Sequence, residues 1–228
     1  MVMTETGPSW LTEIAAASPE ALGLAMLEAD AHARRLDRAT QLAAVRDALA
    51  DGTATAKNLR ARFPDSSPQG IAHALGVPVE IVDDDPMVGS LWRFAEYRAR
   101  PTRIVLYSRG LAPLDRLVKT PLAMRMLGPA TPQDVFIAHE LFHHTEAIRP
   151  DVPIARRYQA ILFRIGGLSW RTGLAALPEI AAGAFAQGLL DLPCHPRVLD
   201  LLALDAVSAN DTAARLASRI ASISDPRH

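Results

Sequence analysis

Within one apolar stretch the chain places His139-Glu140-Leu141-Phe142-His143, an HExxH pattern. It constrains the fold more than any other feature. Residues four apart share one face of an α-helix, so a helix here aims two imidazoles at one point and leaves Glu140 beside the first. Two imidazoles and a carboxylate within reach of a metal-held water form the donor set of a zinc hydrolase. The metal acidifies the water and the glutamate accepts its proton. The flanking residues support the helix. Thr131 suits the N-cap, Pro132 the first helical position, and Asp134 a returning capping bond. Val135, Phe136, Ile137, Ala138, Leu141 and Phe142 supply apolar bulk, and a ligand-bearing helix must be buried to hold its ligands rigidly. The plain alternative is a core helix with two hydrogen-bonded histidines. Glu140 between them is a costly residue for such a helix.

Composition narrows the class. Of the 228 residues, 49% are hydrophobic and only 5% aromatic. Ala and Leu dominate the apolar set, which favours helices over sheets. A net charge of −1 leaves no electrostatic footprint for nucleic acid or an anionic membrane. The segment IAHALGVPVEIV has the Gly-containing turn of a helix-turn-helix. The residues after that turn are β-branched and include Pro78, so direct nucleic-acid binding is not expected. The lone Cys194 excludes an intramolecular disulfide and fits a reducing compartment. The first twenty residues lack a basic then apolar leader, and no apolar run reaches the ~20 residues of a membrane span. A cytoplasmic chain without membrane contact is the expectation, with no organic cofactor.

Along the chain, residues 1–65 read as a helical N-terminal extension and 66–228 as the domain that carries the chemistry. Ser18-Pro19-Glu20 starts a helix, and Asp51-Gly52 reads as a stop. A short helix over 69–76 precedes strands at 77–82, 91–97 and 102–107, the last being Thr-Arg-Ile-Val-Leu-Tyr. Three strands so close together predict a small three-stranded, largely antiparallel sheet packed on the motif helix. After Gly110 the spacing predicts helices to the end, over 111–127, 132–147, 154–166, 177–190, 196–206 and 210–223, with Gly166-Gly167 as a separator. The fold class expected is α+β and mostly helical.

Two histidines and a water leave zinc one protein ligand short. Four candidates stand. Glu146 lies near the right face, but one straight helix wraps three ligands around a tetrahedral ion poorly. His144 is rotated about 100° from His143 and suits packing behind the site. Cys194 and His195 lie between two prolines, and adjacent residues rarely converge on one ion. Glu179 is preferred. Ala182, Gly183 and Ala186 share its helical face and form a small-residue stripe, which lets the helix come close to a neighbour. Its bland reading is an N-terminal glutamate favoured by the helix dipole after Pro178. A donor for the developing oxyanion is also expected, with Tyr158, Tyr107 and His144 as candidates.

His-Glu-Leu-Phe-His-His, followed by Glu179 in an E-x-x-A-x-x-F-A-x-x-L-L pattern, resembles the ImmA/IrrE-type zincin-like metallopeptidases over about residues 70–193. The lead-in of helix, strand and strand is similar too. That resemblance implies a zincin-like domain holding one Zn²⁺ per chain on His139, His143 and Glu179, with Glu140 as the general base. It implies a peptide or protein substrate, and the family includes regulators that act on transcriptional repressors. The chain departs from the pattern at Phe142, where a small residue is common, and at Gly183, where a polar one is. The rival expectation is a regulatory binding protein that keeps the scaffold without proteolysis.

Overall fold

Side chains that close helix ends set the layout. The computed structural model describes residues 9–89, 91–117, 121–207 and 212–224. Helix α1 (Ser9–Ala15) leads to α2 (Pro19–Ala29), where Ser18 accepts the Ala21 N–H. Asp37 accepts the Thr40 N–H to start α3 (Arg38–Arg62), and Ser67 accepts the Gly70 N–H to start α4 (Pro68–Ala74). Strand β1 (Val79–Val82) follows, then a small hairpin of β2 (Met87–Val88) and β3 (Leu91–Trp92), then β4 (Ala95–Ala99) and β5 (Thr102–Tyr107). Two helices, α5 (Ser108–Leu117) and α6 (Pro121–Leu127), precede α7 (Pro132–Ile148), the motif helix. Its capping box forms as expected: the Asp134 N–H donates to Thr131 Oγ1 at 3.2 Å, and the Thr131 N–H donates to Asp134 Oδ2 at 3.0 Å. The chain ends in α8 (Ile154–Arg157), a hairpin of β6 (Gln159–Ile165) and β7 (Leu168–Gly173), α9 (Ala176–Leu190), α10 (Arg197–Val207) and α11 (Thr212–Ser224). The fold is α+β and mostly helical. Among the described residues no helix is long and apolar enough to cross a membrane.

The sheet corrects one expectation. Its order is β1-β5-β4, with β5 parallel to β1 and antiparallel to β4. It is therefore mixed rather than largely antiparallel. Thr-Arg-Ile-Val-Leu-Tyr is its central strand, buried from Ile104 to Tyr107. The expected second strand, 91–97, breaks in two. Residues 91–92 pair with β2 across Gly89, which adopts φ +61°, and only Ala95–Ala99 joins the main sheet.

The expected helix over 154–166 is likewise mostly a hairpin. Only Ile154–Arg157 is helical, and Gly166, at φ +57°, turns β6 into β7. A Gly-Gly pair between aromatic and β-branched residues is a hairpin turn, which outweighs the helix preference of Ala and Leu. Gly166-Gly167 is thus the turn itself and not a separator between helices.

Gly52 does not stop α3, which runs straight through it. A Cβ there would lie 2.1 Å from the Ala181 carbonyl oxygen and 3.0 Å from the Phe185 nitrogen, both on α9. The glycine therefore lets the two helix backbones touch. Asp51 beside it is nearly buried and pairs with Arg149 at 2.9 Å and Arg157 at 3.0 Å, tying the end of α7 to α3. One apolar core runs from Trp10 on α1 to Ile220 on α11. Within it the Phe142 and Phe185 rings lie 5.8 Å apart between α7 and α9.

Helix propensity alone would favour Gly52→Ala by about 1 kcal/mol. Here a methyl group meets rigid backbone, so the helices must part. Urea unfolding should show a net loss of about 1–3 kcal/mol. A raised midpoint would mean that the backbones do not meet at this glycine.

Candidate metal centre

Helix α7 presents His139 and His143 one turn apart, and α9 brings Glu179 to them from its first turn. The Nε2 atoms of the two histidines are 3.3 Å apart. Glu179 places Oε2 at 3.1 Å from His139 Nε2 and Oε1 at 3.4 Å from His143 Nε2. These three side chains are the group of potential metal ligands among the described residues. Ligand atoms about 2.0–2.1 Å from a tetrahedral zinc are separated by about 3.3–3.4 Å. The triangle therefore has the size that a zinc ion fits, and its donors are of the type zinc prefers.

The electrostatics tell the same story. Burial disfavours the His139 imidazolium, yet the Glu179 hydrogen bond and the Glu140 and Glu179 charges outweigh it and raise the pKa to about 9. Burial and the charge on His139 push His143 down to about 4. Burial opposes the Glu179 carboxylate, but the His139 hydrogen bond and the charges of His139, His143 and Arg197 hold it down at about 2. Where the two Nε2 atoms and the carboxylate all turn lone pairs on one point, a proton or a cation between them relieves the repulsion. A proton on His139 does so when no cation does.

Glu140 is buried beside the triangle. Its Oε2 accepts the Tyr97 backbone N–H at 2.7 Å, a bond from strand β4 to the motif helix. Burial raises its pKa to about 7, against the lowering effects of His139 and the Tyr97 N–H. That value suits a group that must take and return a proton near neutrality. Sequence reasoning missed Tyr97, since a backbone donor leaves no mark in side-chain pattern. The Tyr97 hydroxyl in turn lies 3.2 Å from His144 Nδ1.

The remaining candidates lie elsewhere. His144 is buried against Tyr97, behind the motif helix. Glu146 accepts the Ile154 N–H at 2.9 Å and secures the chain after α7. Tyr107 donates to Glu96 at 2.7 Å, and Tyr158 donates to Asp47 at 2.6 Å. None of these four borders the cavity at the metal centre, which measures about 510 Å³. Cys194 is turned to the Met126 carbonyl, and burial lifts its thiol to about 11. His195 does border the cavity, with His139, Glu140 and Glu179, but stands outside the ligand group. Phe142 and Gly183 also find their reasons here. Phe142 fills the space against Phe185, and Gly183 leaves room for the His195 ring, which would lie 2.5 Å from a Cβ at that position.

Residues far from the site in sequence support it. The Ala175 side chain offers no cap to α9, and Asp30, at the end of α2, accepts the Ala176 N–H at 3.1 Å instead. The helices before residue 63 thus fix the start of the helix that carries Glu179. Compared with family models, curated proteins and solved structures, the chain matched none.

Zinc titration should give one ion per chain. Glu179→Ala should weaken binding by more than the 10–100-fold typical of outer-shell losses. Because the ion must displace the His139 proton, affinity should fall about tenfold for each pH unit below 9. Chelator competition between pH 6 and 9 checks both; a flat profile would mean that zinc displaces no proton from His139 in this range.

Proposed function

We propose that this protein is a zinc-dependent metallopeptidase with a zincin-like domain, related to the ImmA/IrrE type. The observation that carries the reading is the zinc-sized triangle of His139, His143 and Glu179, with the buried carboxylate of Glu140 beside it in an open cavity. A structural zinc site is usually closed by four protein ligands; a catalytic one has three and an open side.

His139, His143 and Glu179 would hold the ion. When bound, zinc polarises a carbonyl and acidifies water. Glu140 takes the proton from the attacking water and passes it to the leaving amine nitrogen. Its Oε2 is fixed by the Tyr97 N–H, which steadies the carboxylate through both transfers. As water adds to the carbonyl carbon and the C–N bond breaks, the two products leave with the proton on the amine.

A peptide or protein is the substrate class that fits. The chain from Trp92 to Ala95 walls the cavity on one side, and Phe136, Met26 and Leu201 give it apolar character. β4 is an outer strand of the sheet, and an extended peptide pairs naturally with such an edge. Substrate pairing on this reading falls to β4. Resemblance to regulators of repressors makes a regulatory protein one substrate to test. The non-proteolytic alternative has less support, since a scaffold without chemistry has no use for a buried Glu140.

Glu140→Gln keeps the shape of the side chain and removes the base. It should bind zinc within twofold of wild type and cleave peptides 10²–10⁴-fold more slowly, about the range of general-base catalysis. Undiminished cleavage by the variant would rule out the catalytic role.

A further inference from the structure

His195 is a buried, unassigned side chain on this cavity. It lies in Leu192-Pro193-Cys194-His195-Pro196, just before α10, and is only 5% exposed. Its Nδ1 accepts the Arg197 backbone N–H at 3.1 Å. An imidazole that accepts at Nδ1 carries its hydrogen on Nε2 when neutral. Among the described residues Nε2 has no protein partner, although the ring borders the cavity. The Cε1–Nε2 edge lies against Gly183, where a Cβ would be 2.5 Å and 2.7 Å from those two atoms. Gly183 is four residues after Glu179, on the same face of α9 and about 6 Å along the axis.

A carbonyl oxygen about 2 Å from a metal and 2.7–3.1 Å from a donor puts that donor roughly 5 Å from the ion. His195 stands outside the ligand triangle yet lines the same cavity as His139, Glu140 and Glu179, which is where a donor to a carbonyl held at that triangle has to stand. Pro193 and Pro196 on either side and Gly183 on α9 hold the ring in place before any substrate arrives, which is what makes a donor effective.

We propose that His195 is the oxyanion donor of this site, its Nε2–H hydrogen-bonding the scissile carbonyl oxygen as negative charge develops there. His195 keeps its proton throughout; Glu140 carries the one that moves. The inference rests on the peptidase reading. Its competitor is structural, because the same ring caps α10 through Nδ1.

Two variants separate the roles. An asparagine amide reaches about as far as Nδ1, and a glutamine amide about as far as Nε2. His195→Asn therefore preserves the cap and removes the donor, whereas His195→Gln does the reverse. With a peptide selected from a mixed library by wild-type cleavage, His195→Asn should lose 10²–10³-fold in kcat. Its KM should stay within twofold and its zinc content and melting temperature should not change. A phosphinic analogue of that peptide should bind it more weakly by a similar factor. His195→Gln should recover at least tenfold of the rate despite a lower melting temperature. A fully active His195→Asn, with only His195→Gln impaired, would reduce His195 to a cap. Independently of zinc and activity, nitrogen-15 spectra of the metal-free protein should show His195 as the Nε2–H tautomer; the Nδ1–H form would overturn the assignment. If the wild type binds zinc and cleaves no peptide, the peptidase reading fails and the donor role with it, whereas cleavage by wild type with a silent His195→Asn sinks only the latter.

Discussion

Two imidazole nitrogens and a carboxylate, held within 3.4 Å of one another, turn lone pairs on one point, which a shared proton or a cation relieves. Much of this fold serves to hold them there. Helix α7 is capped at its start and buried from Val135 to Thr145 apart from the partly exposed His139 and His143, so its two histidines have little freedom. Helix α9 must then deliver a short side chain to the same point, which requires a fixed start and close packing. The Asp30 carboxylate supplies the first, and the contact between Phe142 and Phe185 belongs to the second.

The helices that precede the motif domain in sequence take part in this. Gly52 lets α3 lie against the backbone of α9, and Asp51 ties α3 to the end of α7 through two arginines. The two helices that carry His139, His143 and Glu179 are therefore braced by the same third helix. Because the apolar core is continuous from Trp10 to Ile220, loss of packing at this brace reaches the site through contacts and not only through stability. The same economy appears on α9 itself. Its small-residue stripe suits close helix approach, yet the glycine within it accommodates the His195 ring, while α3 approaches over Ala181 and Phe185.

The β elements show where local pattern loses to context. Thr102–Tyr107 is legible as a strand because its β-branched and apolar residues run unbroken. Its central position is not, because pairing partners and strand direction depend on how the chain crosses over after β1. Gly166-Gly167 separates two segments in either a helical or a hairpin reading. The Phe163 and Trp170 rings, stacked across the turn at 5.8 Å, make the hairpin choice evident only once both strands are in place. Gly52 misleads for the opposite reason: a glycine inside a helix looks like an end until the neighbour that needs it is seen.

Sequence by itself determined the motif helix, its cap and two of the three potential ligands, and favoured Glu179 as the third. All are local or nearly so: spacing on one helix, a four-residue capping box, and a glutamate opening a small-residue face. The tertiary structure decided everything that acts across long separations. It brought Glu179 to His139 over forty residues, gave Glu140 a backbone donor from β4, removed Tyr107, Tyr158 and His144 from the cavity, and put His195 on its wall. Such partners meet because packing and backbone geometry bring them together, and a pattern of residue types encodes neither.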